Sequence, residues 1–123
     1  MRRSIVLACM LALAGCSRHE GPVDRAIVFK PCASCHQIGP SARGGFAPQL
    51  NGLFGRRAGT TADFAYSDAM KASGIVWDER TLSAFLRDPD KTVPGTKMRF
   101  WGIHDDRDLA ALLAYLRSFQ GAH

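Results

Sequence analysis

The chain has 123 residues, 46% hydrophobic and 22% charged, which is enough for one domain plus a short extension. Residues 16–123 carry 14 Lys and Arg against 11 Asp and Glu, a net charge of +3, and the basic residues are scattered. Such a surface argues against nucleic-acid binding and suits weak, fast encounters.

Met1-Arg2-Arg3 is a basic start, and Ile5 to Ala14 is an apolar run of about ten residues. That length reads as a signal peptide and is too short for a transmembrane span. The run ends in Leu13-Ala14-Gly15-Cys16, which resembles the lipobox of bacterial lipoproteins. This resemblance implies cleavage before Cys16 and lipid attachment to its sulfur. Residues 1–15 are thus expected to form the signal, 16–22 a lipidated tether and 23–120 the folded domain. The polar tether Ser17 to Val23 contains His19 and Gly-Pro punctuation. Seven residues reach roughly 23–25 Å at most, so the domain would ride close to a membrane surface.

A short helix is expected from Val23 to Lys30, with Pro22 in its first turn and Pro31 disturbing its end. Its faces would group Val23, Ile27 and Lys30, and separately Ala26 and Phe29. Cys32-Ala33-Ser34-Cys35-His36 follows. Two cysteines three apart with a histidine after the second form the attachment signature of a c-type haem. Cys32 and Cys35 would form thioethers with the vinyl groups, and His36 would bind iron through Nε2. With Cys9 lost with the signal and Cys16 lipidated, no thiol is left for a disulfide.

Gln37 to Asn51 is rich in Gly, Pro, Ser and Arg and reads as a loop, for which wrapping one side of a haem is a functional reason. Leu50, Leu53 and Phe54 offer apolar surface, and Tyr66 to Ala72 suits a short helix stopped by Gly74. Ile75-Val76-Trp77 is a brief extended run. Asp78 can cap a helix from Glu79 to Asp88 with Leu82, Phe85 and Leu86 on one face. Asp88-Pro89 ends it. Thr92 to Met98 is a loop, and Asp105 caps a last helix with Asp106 and Asp108 in its first turn. Leu109, Leu112, Leu113, Leu116 and Phe119 recur there at helical spacing. The fold class is all-α with large loops.

Iron held by His36 needs a partner on the opposite side, and the candidates are Met70, Met98, His19, His104 and His123. Met98 is favoured, because it lies far along the chain in a Pro/Gly loop able to close over the other haem face. Met70 reads as packing in a helix, and His104 as a solvent-facing or capping residue. A thioether ligand raises the potential of the iron and fills its coordination sphere, favouring electron transfer over oxygen chemistry.

Pro94-Gly95-Thr96-Lys97-Met98, with Cys-x-x-Cys-His upstream, resembles the monohaem cytochrome c family, both mitochondrial and bacterial. The similarity extends through Pro48 to Arg56, Gly74 to Trp77, Thr81-Leu82 and Leu112 to Leu116, and covers roughly residues 23–119. It implies a small cytochrome c fold around one haem c, covalent through Cys32 and Cys35, with His36 and Met98 as axial ligands. It implies too that the Pro48 carbonyl accepts from the second nitrogen of the ligand histidine. Arg56, Tyr66, Trp77 and Thr96 would surround buried haem propionates, although by themselves they read as a surface arginine, packed aromatics and a loop threonine. Phe100 would lie beside the haem edge, and Val28 would meet Tyr115 between first and last helices.

The chain departs from the family pattern in places. Phe85 replaces a common tyrosine and Met70 a common asparagine, which removes hydrogen bonding near the iron. The usual lysine ring is largely missing, since Pro31 and Asp90 occupy two of its sites and Asp105-Asp106 lie near others, while Lys91 and Lys97 remain.

The function implied is a one-electron carrier and not an enzyme, with no catalytic residue. Redox proteins would be its partners, a quinol-oxidising complex upstream and a terminal oxidase or reductase downstream. The carrier is expected as a monomer, lipid-anchored on the periplasmic side of a bacterial membrane, or else soluble in the periplasm. A haem peroxidase or gas sensor with a labile sixth ligand is the alternative. A thiol-disulfide protein using Cys32 and Cys35 is a third reading, disfavoured by the adjacent His36 and the distant Met98 loop. A zinc site lacks a convincing fourth ligand.

Overall fold

The computed structural model describes residues 24–121. The signal segment, Cys16, the tether with His19, Pro22, Val23 and His123 lie outside the described residues. Five helices follow in order: α1 (Arg25–Ala33), α2 (Asp68–Ala72), α3 (Glu79–Arg87), α4 (Pro89–Thr92) and α5 (Asp106–Arg117). The expected all-α architecture with long loops is found. The extended run before α3 makes an isolated antiparallel bridge, Arg57 to Val76. No helix among the described residues is long and apolar enough to cross a membrane.

Asp24 starts α1 by accepting from the Ala26 backbone N–H at 3.0 Å. The helix then runs through Pro31 instead of stopping there. A proline removes one helical hydrogen bond, to the carbonyl four residues back. That position is open to water, because Ile27 is 54% exposed. The turn beyond is secured by Cys32, whose carbonyl accepts from Cys35 N at 3.0 Å and His36 N at 2.8 Å. Ile27 and Lys30, expected on one face, are both exposed, and Phe29 on the other is the residue that α1 buries. Its ring meets Tyr115 at 5.2 Å between centroids. The aromatic contact between first and last helices therefore belongs to Phe29, with Val28 half-buried beside the core.

Local capping positions the other helices. Ser67 accepts from Met70 N to start α2, and Gly74 takes a left-handed turn (φ +68°) after it. Asp78 and Thr81 form a reciprocal capping box on α3, which buries Leu82, Phe85 and Leu86 as expected. Asp88 ends α3 and also accepts from Lys91 N to begin α4, a turn not expected from the sequence. Proline at the first position of that turn costs no hydrogen bond. Asp105 accepts from Arg107 N and Asp108 N at the head of α5. Leu109, Leu112, Leu113 and Leu116 are buried along α5, while Phe119 lies beyond its end and packs on Tyr115 at 5.1 Å.

Residues 119–120 are tied to the 52–54 segment. Gln120 accepts from Phe54 N and donates to Phe54 O, and Gly52 N donates to Phe119 O. Helices α1 and α5 pack together, and α3 packs on both α4 and α5. The long loops are left to enclose the space between these helices.

Candidate functional site

A cavity of about 350 Å³ opens among the helices and the loops that join them. Its wall is mainly apolar, with Leu53, Leu82, Leu86, Leu112 and Leu116 among the buried residues that contribute. Such a lining with a few polar groups is the usual character of a cofactor site.

The last turn of α1 delivers Cys32, and the turn after it delivers Cys35 and His36. Both cysteines are free, half-buried and line the cavity. Burial, aided by the neighbouring Cys35, pushes the Cys32 thiol up to about 11. A thiol so protonated at neutral pH is a poor attacking thiolate, which counts against the thiol-disulfide reading. His36 Nδ1 donates to the Pro48 carbonyl at 2.8 Å, the contact that the family resemblance implied. Burial lowers the imidazole pKa; the Pro48 bond opposes this and Arg56 adds to it. A neutral imidazole with Nδ1 engaged keeps its Nε2 lone pair for a metal.

Met98 reaches the same cavity from the strap that follows α4. Gly95 lets the strap turn (φ +90°), and a Cβ there would lie 3.2 Å from the Ala69 side chain. Thr96 is only 2% exposed, and its Oγ1 accepts from Met98 N at 3.2 Å. The hydroxyl thus pins the strap at the methionine. Lys97 Nζ donates to the Ala65 carbonyl at 2.7 Å, and exposed Arg99 pairs with Asp90 at 3.4 Å.

Arg56, Tyr66 and Trp77 also line the cavity. Arg56 donates to the carbonyls of Asn51 at 3.1 Å and Gln49 at 3.0 Å, bracing the loop that presents Pro48. Burial depresses its pKa, while Tyr66 and Asp63 act in the opposite sense. Tyr66 shares a 2.6 Å hydrogen bond with Thr61, and the ring of buried Trp77 packs tilted against Phe85, 5.2 Å between centroids. All nine residues expected at the cofactor therefore line one cavity. Met70, read as packing, is buried and also lines it. His104 is exposed, as expected.

Three aromatic contributors were not anticipated. Phe64 lines the cavity beside Tyr66, edge-on at 4.9 Å. Phe46 and Trp101 border it while remaining 86% and 83% exposed, so they mark its mouth. Phe100 is half-buried there and lies 5.5 Å from the Trp101 ring. A lone aromatic in the Gly-rich 37–51 loop and two adjacent aromatics after Met98 were the available sequence signals.

The donor set suits a covalent haem: paired thiols, an imidazole with one free nitrogen, and a thioether facing one apolar space. These residues therefore fit the group. Comparison with known proteins agrees with this reading. A family model described as cytochrome c matches residues 25–120. Cytochrome c2 of Blastochloris viridis is 51% identical over 92 residues, covering 75% of this chain and 72% of that protein. Cytochrome c-550 of Bradyrhizobium diazoefficiens is 45% identical over 91 residues, covering 74% and 67%. The solved structure of cytochrome cH from Methylobacterium extorquens superposes with a TM-score of 0.70 at 43% identity, covering 76% of this chain and 94% of that one.

Proposed function

Since this chain belongs to the cytochrome c family and carries one haem c on Cys32 and Cys35, we propose that it is a membrane-tethered one-electron carrier in respiration. The observation that carries the proposal is the convergence of His36 and Met98 on one apolar cavity. Haem supplies reversible one-electron storage at its iron when bound. Everything else is the work of the chain.

In this reading His36 and Met98 would hold the iron. Pro48 fixes the imidazole ring through its carbonyl, and Thr96 holds the backbone of Met98. With both ligands supplied by side chains, oxygen would be kept from the iron and rearrangement between redox states would stay small. Arg56, Tyr66, Trp77 and Thr96 would face the propionates, and all can donate hydrogen bonds. Phe46, Phe100 and Trp101 at the mouth support electron passage there, through small and transient partner contacts.

The remaining elements rest on the sequence. Residues 1–15 would be removed, Cys16 would carry lipid, 16–22 would tether and 23–120 would form the domain. The family match over 25–120 supports the last of these. A monomer anchored on the periplasmic side would have a raised effective concentration for partners in the same membrane. Those partners would be a quinol-oxidising complex and a terminal oxidase or reductase. The decisive experiment is Met98→Ala in the holoprotein. The thioether–iron absorption band should vanish, the potential should fall and external ligands should bind. An unchanged band and potential would refute the axial assignment.

A further inference from the structure

We propose that Asp63 is a positioning residue for the axial imidazole, acting by clasping Gly44 so that the Pro48 carbonyl stays on His36. The proposal rests on the electron-carrier reading of the site. Asp63 Oδ2 accepts from Gly44 N at 2.6 Å, across 19 residues of sequence. The two loops touch closely at this point, for a Cβ on Gly44 would lie 2.3 Å from the Asp63 carbonyl oxygen. Only a glycine allows that approach.

The clasp joins two walls of the cavity. On one side is the segment that runs from Gly44 through a turn closed by Gly45 N to Ala47 O at 3.1 Å, and on to Pro48. On the other side are Phe64 and Tyr66, with Tyr66 pinned by Thr61. Gln37 ties the 43–50 segment back to its own start, through Arg43 N and Leu50 N. Gly44 is where the segment is fixed to the opposite wall. Four residues beyond it lies the carbonyl that sets the orientation of His36. The Asp63 carboxylate also favours the charged form of Arg56, which braces Gln49 and Asn51 on the same segment.

Solvent exchange of the His36 Nδ1 proton, followed by NMR in the reduced holoprotein, reads the Pro48 contact directly. Asp63→Ala should speed that exchange by about tenfold, as expected for loss of a charge-assisted bond. Asp63→Asn keeps an oxygen toward Gly44 and should stay within about threefold of wild type. Gly44→Ala should reproduce the fast exchange with Asp63 intact, because its Cβ must part the loops, and it decides the question if Asp63→Ala yields no holoprotein. A lowered Tm with exchange unchanged within about twofold in both Asp63→Ala and Gly44→Ala would overturn the proposal. So would Asp63→Asn behaving like Asp63→Ala. Failure of the carrier reading is separable, since it would appear in wild type as the absence of an iron-bound His36 resonance.

Discussion

Replacing Thr96 by valine would remove one hydroxyl from a site that is 2% exposed and leave the branched shape in place. The Met98 N–H would then lose its acceptor at 3.2 Å. Stranding such a donor costs about 1–3 kcal/mol, and the long bond places this case near the lower end, about 1–1.5 kcal/mol. The stranded donor lies in the strap, at Met98 itself, so the fraction of molecules with Met98 released should rise about five- to tenfold. Imidazole added to the oxidised holoprotein competes for the position that Met98 leaves, and its apparent affinity scales with that fraction. An imidazole titration should therefore give about five- to tenfold tighter binding than wild type. An affinity within about twofold of wild type would refute the strap-pinning role, and a lower Tm in that case would make Thr96 a packing residue.

Leu112 is 0% exposed and lines the cavity, so Leu112→Ala should cost about 2–5 kcal/mol in denaturant unfolding of the holoprotein. A cost under about 1 kcal/mol would mean that the site collapses around the void. Acid should loosen α3 through Asp78, whose pKa is lowered by the Thr81 backbone N–H and then by the Thr81 hydroxyl. Because the folded value lies below the unfolded one of about 3.9, this stabilisation is complete above that pH and is lost as pH falls through the folded value. Asp78→Asn should flatten that part of the stability profile between about pH 5 and 2, and an identical profile would exclude Asp78 as its source. Cys16→Ser should move the protein from the membrane to the soluble fraction, and a wild-type protein already found free would refute the lipid anchor.

The parts of the fold written in neighbouring residues are legible in the sequence itself. Asp78, Asp105 and the leucines of α5 declare their helices within a few positions, because capping and periodicity are local. The cofactor residues are legible for a different reason. Cys32, Cys35 and His36 form a contiguous motif and Met98 stands out in a distant Pro/Gly loop, whereas Pro48 and Arg56 come from resemblance, which spans segments far apart in the chain. Pro31 misleads because its cost is local, while the bonds from Cys35 and His36 that hold the turn come after it. Which face of α1 turns inward is not legible, because one nine-residue helix with a mixed pattern defines no clear apolar side. Asp88-Pro89 spells both a stop and a start, and the stop is the plainer of the two. Asp63 and Gly44 meet through folding alone, so nothing in either residue announces the other.

The seam between α1 and α5 has a bearing on how the protein is made. Cys32 and Cys35 sit where the first helix ends, yet the helix that closes over α1 begins about 70 residues later. In a chain delivered N-terminus first to the periplasmic side, α1 would arrive before α5 and stand without its partner helix. The order of elements along the chain would thus leave both thiols open to a haem before the molecule shuts around it.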